Sequence, residues 1–144
     1  MNTALSVYAT CVVVLFFKMF AVSCYQGYFR IRLAAFTNPE DAAVFNRAAN
    51  ATELPEVARG AKVWLNDLEN IPVFFVLGGL AIVLEAPAAA TAWLSGVFTA
   101  ARVVHTVAYL AGGQPWRTVS YGVGVVCLVG LAGVVMVGAW GVGT

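Results

Sequence analysis

Four sets of polar residues lie inside otherwise apolar stretches, at spacings that return to a single helix face. Arg59, Lys62, Asn66 and Glu69 follow one another at i, i+3, i+7 and i+10. Arg102, His105 and Tyr109 repeat at i, i+3 and i+7, Ser23, Gln26 and Arg30 do likewise, and Arg117 and Tyr121 stand four apart. Together they offer cations, a carboxylate, an amide, an imidazole and phenols. Guanidinium and ammonium groups bind carboxylates or phosphates, Glu69 suits an ammonium, and Asn66 suits a peptide group. A small zwitterionic peptide answers that set. Phosphate fits less well, because no glycine-rich loop leads into a Lys-Ser/Thr pair. The single His105 belongs to no His-x-x-x-His pair or carboxylate cluster, so no metal site is expected.

The elements that must position these groups follow from composition. Of 144 residues, 61% are hydrophobic and only 10% charged, whereas a soluble domain is roughly 25% charged. The chain reads as an all-α integral membrane protein. Four segments are apolar enough to span a bilayer, at about 4–32, 57–86, 88–111 and 115–141. Pro87 after Glu85 separates the second from the third, and "GGQP" ends the third and places Pro115 in the first turn of the fourth. Between the first two lies the polar segment 37–56, a cap loop in which Asn38 as N-cap, Pro39, Glu40 and Asp41 spell a short helix start. No internal repeat or second domain is visible, so residues 1–144 read as one membrane domain. The first 17 residues carry no charge, which a secretory leader would need before its apolar core, so the first segment reads as a retained membrane helix. Cys11, Cys24 and Cys127 lie in apolar runs without disulfide or zinc spacing. A net charge of +1 with no basic stripe excludes nucleic acid as a partner.

In an up-down-up-down bundle, Arg30, Arg32, Arg47, Arg59, Lys62 and Arg117 all fall on one membrane face. Both termini and Glu85 fall on the other, which has no Lys or Arg. The positive-inside rule makes the charged face, with the long loop, cytoplasmic, and puts both termini on the opposite side. A charged group at membrane depth costs ~2.5–3.5 kcal/mol, so these side chains should face the bundle interior, a partner or a wet cavity. Asn66 and Glu69 are expected to line such a cavity. Asp67 points about 100° away from Asn66 on the helical wheel, and pairing with Arg102 is expected of it. Lys18 pairs with a carboxylate of the bundle or snorkels to the interface.

The stretches "NDLENIPVFF" (66–75), "FTNPEDAAVF" (36–45) and "ARVVHTVAYL" (101–110) resemble the membrane-associated eicosanoid and glutathione metabolism (MAPEG) family. The resemblance is to the branch that holds the microsomal glutathione transferase and the inducible microsomal prostaglandin E synthase, and it runs from about Lys18 to Tyr121. It implies a homotrimer of four-helix subunits, with glutathione bound between neighbouring subunits on the cytoplasmic side. Position by position it places Arg30, Lys62, Asn66, Glu69, His105, Tyr109, Arg117 and Tyr121 at the glutathione-binding positions, and Arg117 at that of the arginine that assists the thiol. By the same analogy Asp41 could stand opposite Arg117. Lys62-Val63-Trp64 departs from the family's Arg-Ala-His, Leu65 matches the transferase branch, and Thr118 replaces the serine of the prostaglandin branch.

The function implied is a glutathione transferase, in which the thiolate attacks a lipophilic electrophile from the bilayer or reduces a lipid hydroperoxide. Glutathione-dependent isomerisation of a lipid endoperoxide is the alternative enzyme reading. A non-catalytic lipid-binding scaffold is disfavoured by the retention of Glu69, His105, Tyr109 and Arg117, and a through-pore by confinement of the polar stripes to one face.

Overall fold

Apolar runs longer than a bilayer core is thick fold here into helices, because only a helix satisfies its own backbone groups in lipid. The computed structural model describes residues 3–141. They form α1 (Thr3–Leu33), α2 (Pro39–Val44), α3 (Pro55–Val83), α4 (Ala88–Ala111) and α5 (Trp116–Gly141), with no strand among the described residues. All but α2 are long and apolar enough to cross a membrane. At 1.5 Å per residue α1 is ~46 Å long, against a ~30 Å hydrocarbon core, so its last turns carry Arg30 and Arg32 out of the apolar zone.

Helix boundaries follow local chemistry. α4 occupies the expected 88–111, and α1 and α5 lie within a residue of expectation. α3 is displaced toward the N-terminus, spanning 55–83 rather than 57–86. Pro55 starts it, where a missing N–H costs nothing, and it ends early because Glu85 adopts a φ of +49°, outside the helical region. Pro39, Glu40 and Asp41 do open α2, but the side chain of Asn38 makes no capping bond. Its Nδ2 instead donates to the Asp41 carboxylate at 3.3 Å.

The helices run up, down, up and down. Near one end, Arg59 Nη1 donates to the Leu110 carbonyl at 3.0 Å and His105 Nδ1 contacts the Arg117 carbonyl at 3.0 Å, joining the start of α3, the end of α4 and the start of α5. A Cβ on Gly60 would meet Gln26, so α1 ends there too. The loop between α1 and α3 is held to this end. Arg30 pairs with Glu53, Phe36 stacks on Phe45 at 4.8 Å, and Asn50 N–H donates to the Phe36 carbonyl at 2.7 Å.

Two layers fill the bundle. The apolar one holds Cys11, Leu15, Ile71, Phe74, Phe98, Cys127 and Leu131, with Phe74 and Phe98 stacked at 4.6 Å. Beside it Tyr8 Oη donates to the Phe75 carbonyl at 2.7 Å, its ring packed where any side chain at position 78 would stand. The other layer is ionic. Asp67, fully buried, pairs with Arg102 at 2.8 Å and with Lys18, and Arg102 also donates to Asn66 Oδ1. The pairing expected of Asp67 is therefore present, Lys18 takes the first of its two alternatives, and the two pairs tie α1, α3 and α4 together. The reason is electrostatic: a charge sealed from water persists only beside its opposite. Outward faces are apolar, with Phe16, Phe17, Phe20, Val83, Trp93 and Trp140 all exposed. That inverts a soluble surface and suits contact with lipid.

Candidate functional site

The site begins with the way α4 stops. Gly112 takes the left-handed conformation, φ +73°, and the Gly113 amide donates back to the Ala108 carbonyl at 2.7 Å. Such a closure favours glycine because a Cβ is strained at that φ. The chain then reverses within a few residues into α5, where the Arg117 amide donates to the Gly113 carbonyl at 3.2 Å and the Val119 amide to the Pro115 carbonyl at 3.1 Å. Arg117 is thereby set in the first turn of α5, facing the last turns of α4.

Its side chain is held from two directions. The guanidinium carbon lies 4.8 Å from the centroid of the Tyr109 ring, a cation–π contact. Gln114 meets its edge. With the amide oxygen turned toward Arg117, Oε1 accepts from Nη2 at 2.6 Å and from Nε at 3.2 Å, while Nε2 donates to Thr118 Oγ1 at 3.1 Å. That orientation satisfies all three groups. Behind it His105 is buried, and because a carbonyl can only accept, its Nδ1 carries the proton given to the Arg117 oxygen. The His105 ring lies 5.8 Å from that of Tyr109 and 6.0 Å from that of Tyr121.

A cavity of about 400 Å³ opens beside Arg117, lined by Pro55, Ala58, Arg59, Lys62, Tyr109, Gly112 and Arg117. Its charged lining is entirely cationic. An adjoining pocket of about 170 Å³ shares Pro55 and Arg59 and adds Tyr25, Leu110 and the carboxylate of Glu56. Arg59 spends one donor on the Leu110 carbonyl, one of the oxygens a helix end leaves unsatisfied. Lys62 has no ion pair or hydrogen bond among the described residues. Three cations around a small hollow create a field that favours an anion. A cavity of about 430 Å³ elsewhere, lined by Val7, Ala92, Trp93, Gly96, Val97 and Ala100, has no group able to hold a charge.

Of the residues singled out from spacing and resemblance, Lys62, Tyr109 and Arg117 line this cavity, with His105 packed behind and the exposed Tyr121 beyond it. The others stand apart within one chain. Asn66 is half-buried and turned toward Arg102, Arg30 is paired with Glu53, and Glu69 is exposed on α3 without a polar partner among the described residues. Asp41 contacts Asn38 on the exposed loop. Gln114 sits in the turn between α4 and α5, where no periodicity points to it. The one signal was an amide three residues before Arg117 and four before Thr118.

Comparison with known proteins agrees with this architecture. The MAPEG family model matches residues 8–137. The chain is 38% identical over 122 residues to prostaglandin E synthase of Homo sapiens, covering 83% of this chain and 80% of that protein. It is 37% identical over 127 residues to microsomal glutathione S-transferase 1 of Homo sapiens, covering 84% and 79%, and 35% identical over 129 residues to that of Mus musculus, covering 85% and 83%. A family model spanning nearly all of the bundle, and relatives of this identity over most of both chains, show that the protein belongs to the MAPEG family.

Proposed function

We propose that the protein is a membrane-bound glutathione transferase acting on lipophilic electrophiles. The observation that carries the reading is the convergence of Arg59, Lys62 and Arg117, over Tyr109, around a cavity of about 400 Å³. The donor set suits the tripeptide. Its carboxylates answer the three cations, its ammonium answers Glu56 in the adjoining pocket, and the space matches the several-hundred-Å³ scale of small-ligand sites. When bound, glutathione supplies a nucleophilic sulfur that displaces a leaving group from an electrophile or reduces a lipid hydroperoxide.

The chain's own contribution is electrostatic. A free thiol, with a pKa of about 8.5, is only a few per cent ionised at neutral pH. A guanidinium held beside the sulfur favours the anion, and the positive end of the α5 helix dipole adds to that effect. Tyr109 and Gln114 keep Arg117 in place, Lys62 and Arg59 bind carboxylate, and His105 anchors the Arg117 backbone to α4. Apolar outer helices give substrates dissolved in the bilayer a route to the site.

The reading extends to assembly and sidedness. Glu69 lies roughly 21 Å along α3 at 1.5 Å per residue and is exposed, a costly place for a carboxylate in lipid. A neighbouring copy covers it in a homotrimer, where Arg30, Asn66, Glu69 and Tyr121 complete the glutathione site between subunits. The cations at this end make it cytoplasmic.

The test is turnover of a generic aryl halide with glutathione by the purified protein in detergent. Arg117→Ala should fold and bind glutathione yet lose most conjugation, and full retained turnover rules the assignment out. The identity to prostaglandin E synthase favours a second reading, isomerisation of a lipid endoperoxide with glutathione unconsumed. Labelled glutathione separates the two, since only conjugation carries the label into product.

A further inference from the structure

The guanidinium of Arg117 has two donors on one edge, Nε and Nη2, and with the Gln114 amide in the orientation that satisfies its neighbours a single oxygen accepts from both, at 3.2 Å and 2.6 Å. Nη1 is left without a partner among the described residues, on a side chain that lines the cavity. The amide is itself tethered, since Gln114 Nε2 donates to Thr118 Oγ1 at 3.1 Å and Thr118 lies one residue beyond Arg117 on the same helix turn. Tyr109 closes the face of the guanidinium plane. A half-buried arginine otherwise samples several rotamers, each costing orientation at the reacting centre.

We propose that Gln114 is a positioning residue for Arg117, held in register by Thr118, and that its neutrality is the functional point. A carboxylate at 114 would hold the same edge through the same two bonds, but would cancel the positive charge that the thiolate needs. An amide fixes the guanidinium and leaves its charge intact. Thr118, which departs from serine in the resemblance, acts through Gln114 and not on substrate. The proposal rests on the assignment of Arg117 to the thiol.

The experiment uses the protein in detergent with Gln114→Leu, Gln114→Glu, Thr118→Val and the double variant Gln114→Leu/Thr118→Val, both positions being exposed. The first readout needs no ligand: the Arg117 Nε–H signal, observed by NMR with labelled arginine, should be hydrogen-bonded and protected in wild type and in Gln114→Glu, and exchange fast in Gln114→Leu. The second is glutathione thiolate absorbance against pH, whose midpoint should rise by about one unit in Gln114→Glu. The third is turnover, which should fall about tenfold in Gln114→Leu with little change in glutathione affinity. Thr118→Val should fall less, and the double variant should be no worse than Gln114→Leu. An unprotected Nε–H in wild type, a Gln114→Glu midpoint equal to wild type, or a double variant showing the product of the single effects would each overturn the proposal. Should Arg117→Ala keep full turnover while Nε–H protection still depends on Gln114, the clamp is real and the catalytic assignment of Arg117 is what fails.

Discussion

Asp67→Asn is the most informative single change in the bundle. In the ionic layer Lys18 and Arg102 share one carboxylate, so the buried group carries a net charge of +1 with almost no exposure, 1% for Arg102 and none for Asp67. Asparagine keeps the shape and can still accept from Arg102, but leaves two like charges sealed together. A cation and an anion 4 Å apart attract by about 4 kcal/mol at an effective dielectric constant of 20, and breaking a buried pair costs ~3–5 kcal/mol after relaxation. Lys18→Met is the opposite case. It removes the surplus charge, leaves Asp67 and Arg102 as a neutral pair at 2.8 Å, and should cost less than ~1.5 kcal/mol. The order is thus fixed by charge and not by the number of bonds lost. Moreover, Lys18→Met added to Asp67→Asn should recover stability, because it removes one of two repelling cations. The assay is unfolding in mixed micelles by titration with sodium dodecyl sulfate, followed by tryptophan fluorescence. If Lys18→Met is as damaging as Asp67→Asn, or the double variant is less stable than Asp67→Asn alone, the account of the layer as one shared carboxylate is wrong.

Other outcomes follow from the same packing. Gly78→Ala would put a methyl 2.5 Å from the Tyr8 ring, and should lower stability by ~1–3 kcal/mol in the same titration; adding Tyr8→Ala should relieve most of that strain. Gly112→Ala forces a Cβ into φ +73° and should cost ~1 kcal/mol, visible as a lower melting temperature in detergent. Tyr109→Phe keeps the ring under Arg117 and should retain most turnover, while Tyr109→Leu removes a cation–π contact of ~0.5–1 kcal/mol and should lower kcat severalfold. Thiolate stabilisation by the Arg117 guanidinium calls on no metal, so treatment with a chelator should leave turnover unchanged.

Much of the candidate site was legible as periodicity. Lys62 on one helix, Tyr109 on the next and Arg117 in the first turn of the last were each visible because a polar residue in an apolar helix must face something other than lipid. Helical angle sets Asp67 apart from Asn66, and the pairing with Arg102 expected of Asp67 is present, yet Asn66 accepts from the same guanidinium. What periodicity could not show is which partner each residue of a stripe would meet. Arg59, Lys62, Asn66 and Glu69 share one, yet Arg59 caps the end of α4 and lines the cavity with Lys62, while Asn66 turns to Arg102 and Glu69 stands exposed. Gln114 was invisible because a turn has no repeat to break.

The sequence by itself determined that this chain crosses a membrane on four helices, which ends of those helices carry charge, and that its polar groups recur on single helix faces. Those properties are summed over many residues: the hydrophobic effect and the cost of an unpaired charge in lipid act on every position alike, so pattern suffices. Apart from the Asp67–Arg102 pair, tertiary structure alone decided which cation meets which acceptor. That Asp67 serves both Lys18 and Arg102, that Tyr109 and Gln114 confine Arg117, and that His105 gives its proton to a backbone oxygen are all contacts across a few ångströms between groups distant in the chain or joined by a turn. Hydrogen bonds and ion pairs fall off over just that range, and only the packed bundle sets it.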